Sequence, residues 1–95
     1  MRTRTHPGEI LREEFMIPLG LSANALSRAI DVPPNRITSI IAAERAVTPD
    51  TAVRLARYFD TTPQFWLNLQ MAHDLSVTLN ERGAEINDRV RPRAA

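Results

Sequence analysis

Ser22-Ala23-Asn24-Ala25-Leu26-Ser27-Arg28-Ala29-Ile30-Asp31-Val32-Pro33-Pro34-Asn35-Arg36-Ile37-Thr38-Ser39-Ile40 is the stretch whose reading decides the fold. Ser22 is a good N-cap, its hydroxyl suited to an amide left free in a first helical turn. Leu26, Ala29 and Ile30 then recur at helical spacing and form one narrow face of small residues. Asp31 ends this helix, because Asp tolerates the left-handed conformation better than most residues. Pro33 is disfavoured in a helix by the proline that follows it, so the break is sharp. A second short helix starts near Pro34. At about 100° per residue, Ile37, Ile40 and Ile41 form its apolar face. Asn35 and Ser39 lie opposite, with Ala42 alongside and Arg36 and Thr38 on the flanks. A small, polar outer face covers a core poorly and suits a groove.

Two short helices that cross over small residues, with Val32 buried between them, project the second one outward, where it can enter the major groove of DNA. Asn pairs with adenine through two hydrogen bonds, Arg with guanine, and Ser with several bases. Asn35, Arg36 and Ser39 supply that set near the N-terminus of the projecting helix, where base contacts usually fall. Ser22 and Asn24 stand at a helix N-terminus, which favours anions, and so are candidates for phosphate contacts. Thr38, on the flank, and Arg45, in the following loop, are further phosphate candidates. A plain helical hairpin within a bundle has similar spacing, and in that reading Arg36 pairs with Glu44 or faces solvent.

Outward from this unit the chain reads as helices with short connections. A first helix runs from about Pro7 to Met16, with Glu9 in its first turn and Ile10, Leu11, Phe15, Met16 and Ile17 on its apolar face. Pro18 is expected to end it, and Leu19-Gly20-Leu21 to form a short buried turn. Thr48-Pro49 and Thr62-Pro63 each read as a Thr cap followed by Pro at the first helical position. The fourth helix is expected to bury Ala52, Val53, Leu55, Ala56 and Phe59. The fifth runs from about Pro63 to Asn80 and stops at Arg82-Gly83. The expected architecture is all-α: an arm over residues 1–6, a helical domain over 7–81 and a tail over 82–95.

The 95 residues allow one domain with one modest core. All 12 basic residues are arginines. Arg2 and Arg4 lie in the N-terminal arm, Arg89, Arg91 and Arg93 at the other end, and the middle is mildly basic. The stretch from Asp60 to Glu81 is acidic. A basic centre is compatible with phosphate binding, and equally with an ordinary solvated surface. With no cysteine there is no disulfide framework and no thiolate metal site. No apolar run approaches a membrane span of about 20 residues, and no signal peptide is evident, so a cytoplasmic protein, on the nucleoid when DNA-bound, is expected. Enzyme readings find little support. His6 and His73 lie outside metal-ligand spacing of other strong ligands. Glu9, Glu13 and Glu14 read as a solvated helix face. No glycine-rich phosphate loop or nucleophile elbow is present. No cofactor is expected.

Four blocks in order carry a family resemblance: His6-Pro7-Gly8-Glu9-Ile10-Leu11, Pro18-Leu19-Gly20-Leu21-Ser22, Arg45-Ala46-Val47-Thr48-Pro49-Asp50-Thr51-Ala52 and Thr62-Pro63-Gln64-Phe65-Trp66-Leu67-Asn68-Leu69-Gln70. Together they resemble the HigA-type antitoxins of the XRE, or lambda-repressor-like, helix-turn-helix class. The resemblance covers roughly residues 6–80. It implies a five-helix lambda-repressor-like domain and a dimeric antitoxin. Such a protein binds a HigB-type toxin, a ribosome-dependent mRNA endonuclease, and represses its own operon through a palindromic operator on double-stranded DNA. A stand-alone XRE repressor with no toxin shares the same fold and DNA mechanism. The chain departs from the family at four places. It has Ala42-Ala43 where the family often has Asn-Gly, Pro33 where Ser often caps the recognition helix, Asp31 where Gly often makes the turn, and Glu44 where Lys or Arg usually precedes Arg45. These departures weaken the case for loop-to-phosphate contacts and suggest an operator particular to this chain.

The fifth helix is more apolar than one core face requires. Phe65, Leu69, Ala72, Leu75 and Leu79 read as the inward stripe. Trp66, His73 and Val77 form a second stripe, expected to be a two-fold homodimer interface because a monomer this small rarely leaves tryptophan bare. The alternative is that Trp66 covers the first or fourth helix of its own chain.

Overall fold

The computed structural model describes residues 3–94. Arg2 of the expected arm lies outside them. The described residues form only helices and their connections. The first helical run comprises α1 (Pro7–Ile10), a π-helical stretch (Leu11–Met16) and α2 (Ile17–Leu19). Then follow α3 (Ala23–Ala29), α4 (Pro34–Ile41), α5 (Pro49–Phe59) and α6 (Pro63–Arg89). With the first run counted as one, this is the expected five-helix, all-α domain.

Helix starts follow the expected capping chemistry. Ser22, Thr48 and Thr62 each accept the amide of the residue three further on, and such a cap contributes about 1 kcal/mol. His6 caps the first run, its Nδ1 accepting the amide of Gly8, two residues on, at 2.9 Å. Burial, then the adjacent His73, lowers the His6 pKa from its ordinary value, with Asp74 pulling the other way. The effect favours the neutral ring that this acceptor role requires.

Four helix ends share one device. Gly20, Asp31, Ala43 and Asp60 all take the left-handed conformation, with φ of 63°, 58°, 61° and 58°. After each, an amide reaches back five residues: Leu21 to Met16, Val32 to Ser27, Glu44 to Ser39 and Thr61 to Ala56. This is the Schellman closure, which satisfies otherwise orphaned carbonyls. Gly20 adopts it freely, and Asp is among the residues that visit it. Ala43 is neither. We expect Ala43→Gly to stabilise the protein by about 0.5–1 kcal/mol, the relief of left-handed strain less the extra chain entropy of Gly. A urea unfolding midpoint checks this; a lower midpoint would show that the Ala43 methyl costs nothing where it stands.

Several sequence expectations need correction. Pro18 does not end the first helix. The backbone widens before it, so that the Ile17 amide bonds the Arg12 carbonyl, and the run continues to Leu19. Of Leu19, Gly20 and Leu21, expected to form a buried turn, Leu19 and Gly20 are exposed and Leu21 is half-buried against the core. In α3, Ala29 faces solvent and Ser27 takes the buried place, its hydroxyl donating to the Pro34 carbonyl at 3.3 Å. In α5, Val53 is exposed and Thr51 is buried. Gly83 does not stop α6. The helix runs on to Arg89, supported on its exposed side by Arg82–Glu85 and Arg89–Glu85 pairs. Residues 82–89, expected in the tail, are therefore helical.

The core gathers Leu11, Met16, Leu26, Ile30, Ile37, Ile40, Val47, Leu55 and Trp66. Trp66 packs on Phe15 from the first run, ring centroids 5.0 Å apart, and its Nε1–H donates to Thr61 Oγ1 at 2.9 Å. The radius of gyration is 16.2 Å, against about 13 Å for a compact chain of this length. Much of the excess is α6, at 27 residues about 40 Å long. Among the described residues no helix is long and apolar enough to cross a membrane.

Candidate nucleic-acid interface

α3 and α4 pack directly against each other, and α1 closes over α4 from behind. Ile37 and Ile40 are fully buried, which fixes which side of α4 faces out. Asn35, Thr38 and Ala42 are exposed and Ser39 is half-buried. The outer surface of α4 is thus small and polar, as the periodicity predicts. The Thr38 hydroxyl donates to the Asn35 carbonyl at 3.1 Å. At the start of α3, Ser22 and Asn24 are exposed, and Ser22 Oγ already accepts the Ala25 amide at 3.1 Å.

Arg36 is placed differently from Asn35 and Ser39. It is half-buried on the flank of α4, and its Nη1 donates to Thr51 Oγ1 of α5 at 3.3 Å. It does not pair with Glu44. With Arg45, Ala46, Thr48, Asp50 and Thr51 it lines a recess of about 270 Å³. The structure thus brings Arg36 and Arg45 together and sets both beside the first turn of α5.

Two residues that sequence reasoning passed over hold this surface in place. Arg54 of α5 donates through Nη1 to the carbonyls of Ile30 and Asp31, at 2.9 and 3.1 Å, and through Nε to Asp50 at 2.9 Å. It ties the end of α3 to α5. Gln70 of α6 accepts the Val47 amide at 2.8 Å in a buried contact and donates to Asp74 at 2.9 Å. It anchors the loop that follows α4. The available signal for Gln70 was its position one helical turn after Trp66. For Arg54 it was only the Asp50–Arg54 spacing, which says nothing of α3.

The expected dimer stripe is turned the other way. Trp66 is fully buried in its own chain, covering the first helical run as the alternative reading had it. His73 and Val77 are half-buried. His73 Nδ1–H donates to the Arg4 carbonyl at 2.7 Å, and the His73 ring meets His6 edge-on. Ser76 Oγ accepts the Arg4 amide at 2.8 Å and Asn80 donates to Thr3 at 3.1 Å. This side of α6 therefore binds the core and the chain's own arm. Of the expected inward stripe, Leu69 packs on the core and Ala72 is half-buried, whereas Phe65, Leu75 and Leu79 are 37%, 56% and 46% exposed. Both stripes are apolar enough in sequence to face inward; the flat indole and its N–H find partners in Phe15 and Thr61. The opposite side presents Met71, Leu75, Leu79 and Ile86 to solvent, with Leu67 at its head. Among the described residues no group of three His, Cys, Asp or Glu side chains is placed to hold a metal ion.

The helix-turn-helix family pattern matches residues 11–66. The chain is 52% identical to virulence-associated protein I of Dichelobacter nodosus over 77 residues, covering 81% of this chain and 71% of that one. It is 38% identical to antitoxin HigA-1 of Vibrio cholerae over 82 residues, covering 83% and 77%. Its structure resembles that of antitoxin GraA in complex with its operator, with a TM-score of 0.93, 46% identity and coverage of 100% and 95%.

Proposed function

The chain belongs to the helix-turn-helix family, among the HigA-type antitoxins, and from that premise we propose that it is an operator-binding antitoxin. In this reading it represses its own operon as a homodimer and neutralises a HigB-type toxin, acting in the cytoplasm and performing no chemistry itself. The observation that carries the DNA-binding reading is the outer face of α4. It is exposed, short-chained and polar while its other face is locked into the core by Ile37 and Ile40. A helix built that way enters the major groove without displacing anything. GraA, at 46% identity, has been seen with its operator.

The homodimer in this proposal uses the far side of α6. Met71 is 67% exposed and Leu75 56%, and with Leu67 and Pro49 they line a shallow apolar groove of about 570 Å³. Leu67, Met71, Leu75 and Leu79 recur every four residues. A second copy can lay the same stripe against this one, because a two-fold interface is self-complementary. Such a pairing also fixes the distance between two α4 helices, which a palindromic operator requires to be about one DNA turn.

The test is binding to the DNA upstream of the protein's own gene. Asn35→Ala is expected to lose about 1–3 kcal/mol at one base pair of each half-site and nothing elsewhere. Binding to single-substitution operators checks it, and a uniform loss across all of them would remove Asn35 from the base-reading set. The toxin arm is tested by co-expression. The small neighbouring reading frame should arrest growth alone, and this protein should relieve the arrest in a complex that co-purifies. Absence of both would leave a stand-alone repressor.

A further inference from the structure

The recess between α4 and α5 holds two positive charges and no free negative one. Arg36 and Arg45 wall it, and among the described residues neither forms an ion pair. Among the described residues the one carboxylate on its wall, Asp50, is paired with Arg54 at 2.9 Å. Arg36 Nε is buried with no acceptor, although Nη1 of the same guanidinium reaches Thr51. Buried donors are nearly always satisfied, and a half-buried guanidinium with one neutral acceptor leaves most of its hydrogen-bonding capacity unused. Such a group calls for an anion. The recess also opens beside the first turn of α5, an 11-residue helix with Thr48 at its cap, and that end favours negative charge.

Where the recess lies says which anion. With α4 lying in the major groove, Asn35 on its outer face would point toward the groove's floor. Arg36 is about 100° further round the helix, toward the groove's wall. The walls of the major groove are phosphates, and phosphate contacts set register while base contacts set sequence. This rests on the DNA-binding reading above. We propose that the recess takes one phosphate of the DNA backbone, clamped between the Arg36 and Arg45 guanidiniums. Arg36 is then a phosphate-binding residue that fixes the seating of α4, and not a reader of guanine as the sequence suggests. Fork-shaped guanidiniums suit a phosphate's paired oxygens.

Arg36→Gln and Arg45→Gln are the variants, each first checked for wild-type circular dichroism and melting. Operator binding is measured across salt concentrations and across single-base operator variants. The expected result for each is a weaker affinity for every sequence alike, an unchanged ranking of those sequences, and a salt slope shallower by about one. Relaxed discrimination at one base pair with an unchanged slope for Arg36→Gln would overturn the proposal and restore the base-reading role. Unchanged affinity and slope would overturn it too, leaving Arg36 as packing against Thr51. A second measurement does not depend on DNA. Inorganic phosphate, titrated at constant ionic strength, should shift the amide resonances of Ala46, Thr48 and Thr51 saturably in the wild type and not in Arg36→Gln. Those shifts with no operator binding would place the fault in the DNA-binding reading, while operator binding with no such shifts and no change of slope would sink the phosphate site.

Discussion

A protein carrying Met71→Glu and Leu75→Glu is expected to sediment as a monomer and to bind its operator about 10²–10⁴-fold more weakly than the wild type. Both side chains project from the far side of α6, 67% and 56% exposed. Replacing them should leave the chain's own core intact, because exposed substitutions usually change stability by only about 0.5 kcal/mol. In the proposed dimer the same positions lie at the centre of the stripe, where two acidic pairs would face their copies across the axis. Like charges desolvated at an interface are strongly unfavourable. The loss of operator affinity follows from geometry alone. Two α4 helices joined through α6 bind two half-sites at a high effective concentration, whereas separate monomers bind each half-site at bulk concentration. Sedimentation velocity and operator gel shifts on the same preparation check both halves of the prediction. A double variant that remains dimeric would place the interface elsewhere. A monomer that binds as tightly as the wild type would mean that pairing contributes nothing to DNA recognition.

The two sides of α6 show what the sequence could and could not convey. Capping chemistry was legible because it is local: Ser22, Thr48 and Thr62 need only the next turn to act. The faces of α4 were legible for the same reason, since three isoleucines at helical spacing leave one choice. Asp31 at a left-handed helix end was legible from its residue type. Choosing between two apolar stripes on one helix is a different problem. It turns on which neighbours exist, and Phe15 lies 51 residues before Trp66. That contact takes Trp66 out of the expected interface and leaves Leu75 and Leu79 of the expected inward stripe exposed, while Leu69 keeps its place against the core. Arg36 is a milder case. Its flank position was read from periodicity, but only the packing of α5 shows that the flank faces Thr51 and a second arginine. Similarly, nothing within α6 says that Gly83 lies inside a helix, because the Arg82, Glu85 and Arg89 pairing that favours continuation competes with a residue that ordinarily stops one.

Gly8→Ala is expected to cost about 3 kcal/mol or more, toward the upper end of overpacking penalties. Gly8 is buried in the first turn of α1, where the run crosses the end of α4. A Cβ at this position would stand 1.9 Å from the Ile40 carbonyl oxygen, 2.7 Å from its carbon and 2.9 Å from Ile41 Cα. All three atoms are backbone, so no side chain can turn aside to make room. Either α1 lifts from α4 or the end of α4 moves. In a domain of this size a loss of 3 kcal/mol lowers the melting temperature by roughly 12–24 °C. The second consequence is functional. α4 is fixed from behind by this contact and from the side by α3, and its outer face carries Asn35. A shift of about 1 Å at such a helix is enough to spoil the two-bond geometry of a base contact. Operator affinity should therefore fall even at 10 °C, where a weakened protein is still folded, and the fall should be larger on the correct operator than on unrelated DNA. Melting curves and cold binding assays separate the two effects. Reduced stability with wild-type specificity would mean that α1 alone gives way and α4 keeps its seat against α3; wild-type stability would mean that Gly8 does not lie against the end of α4.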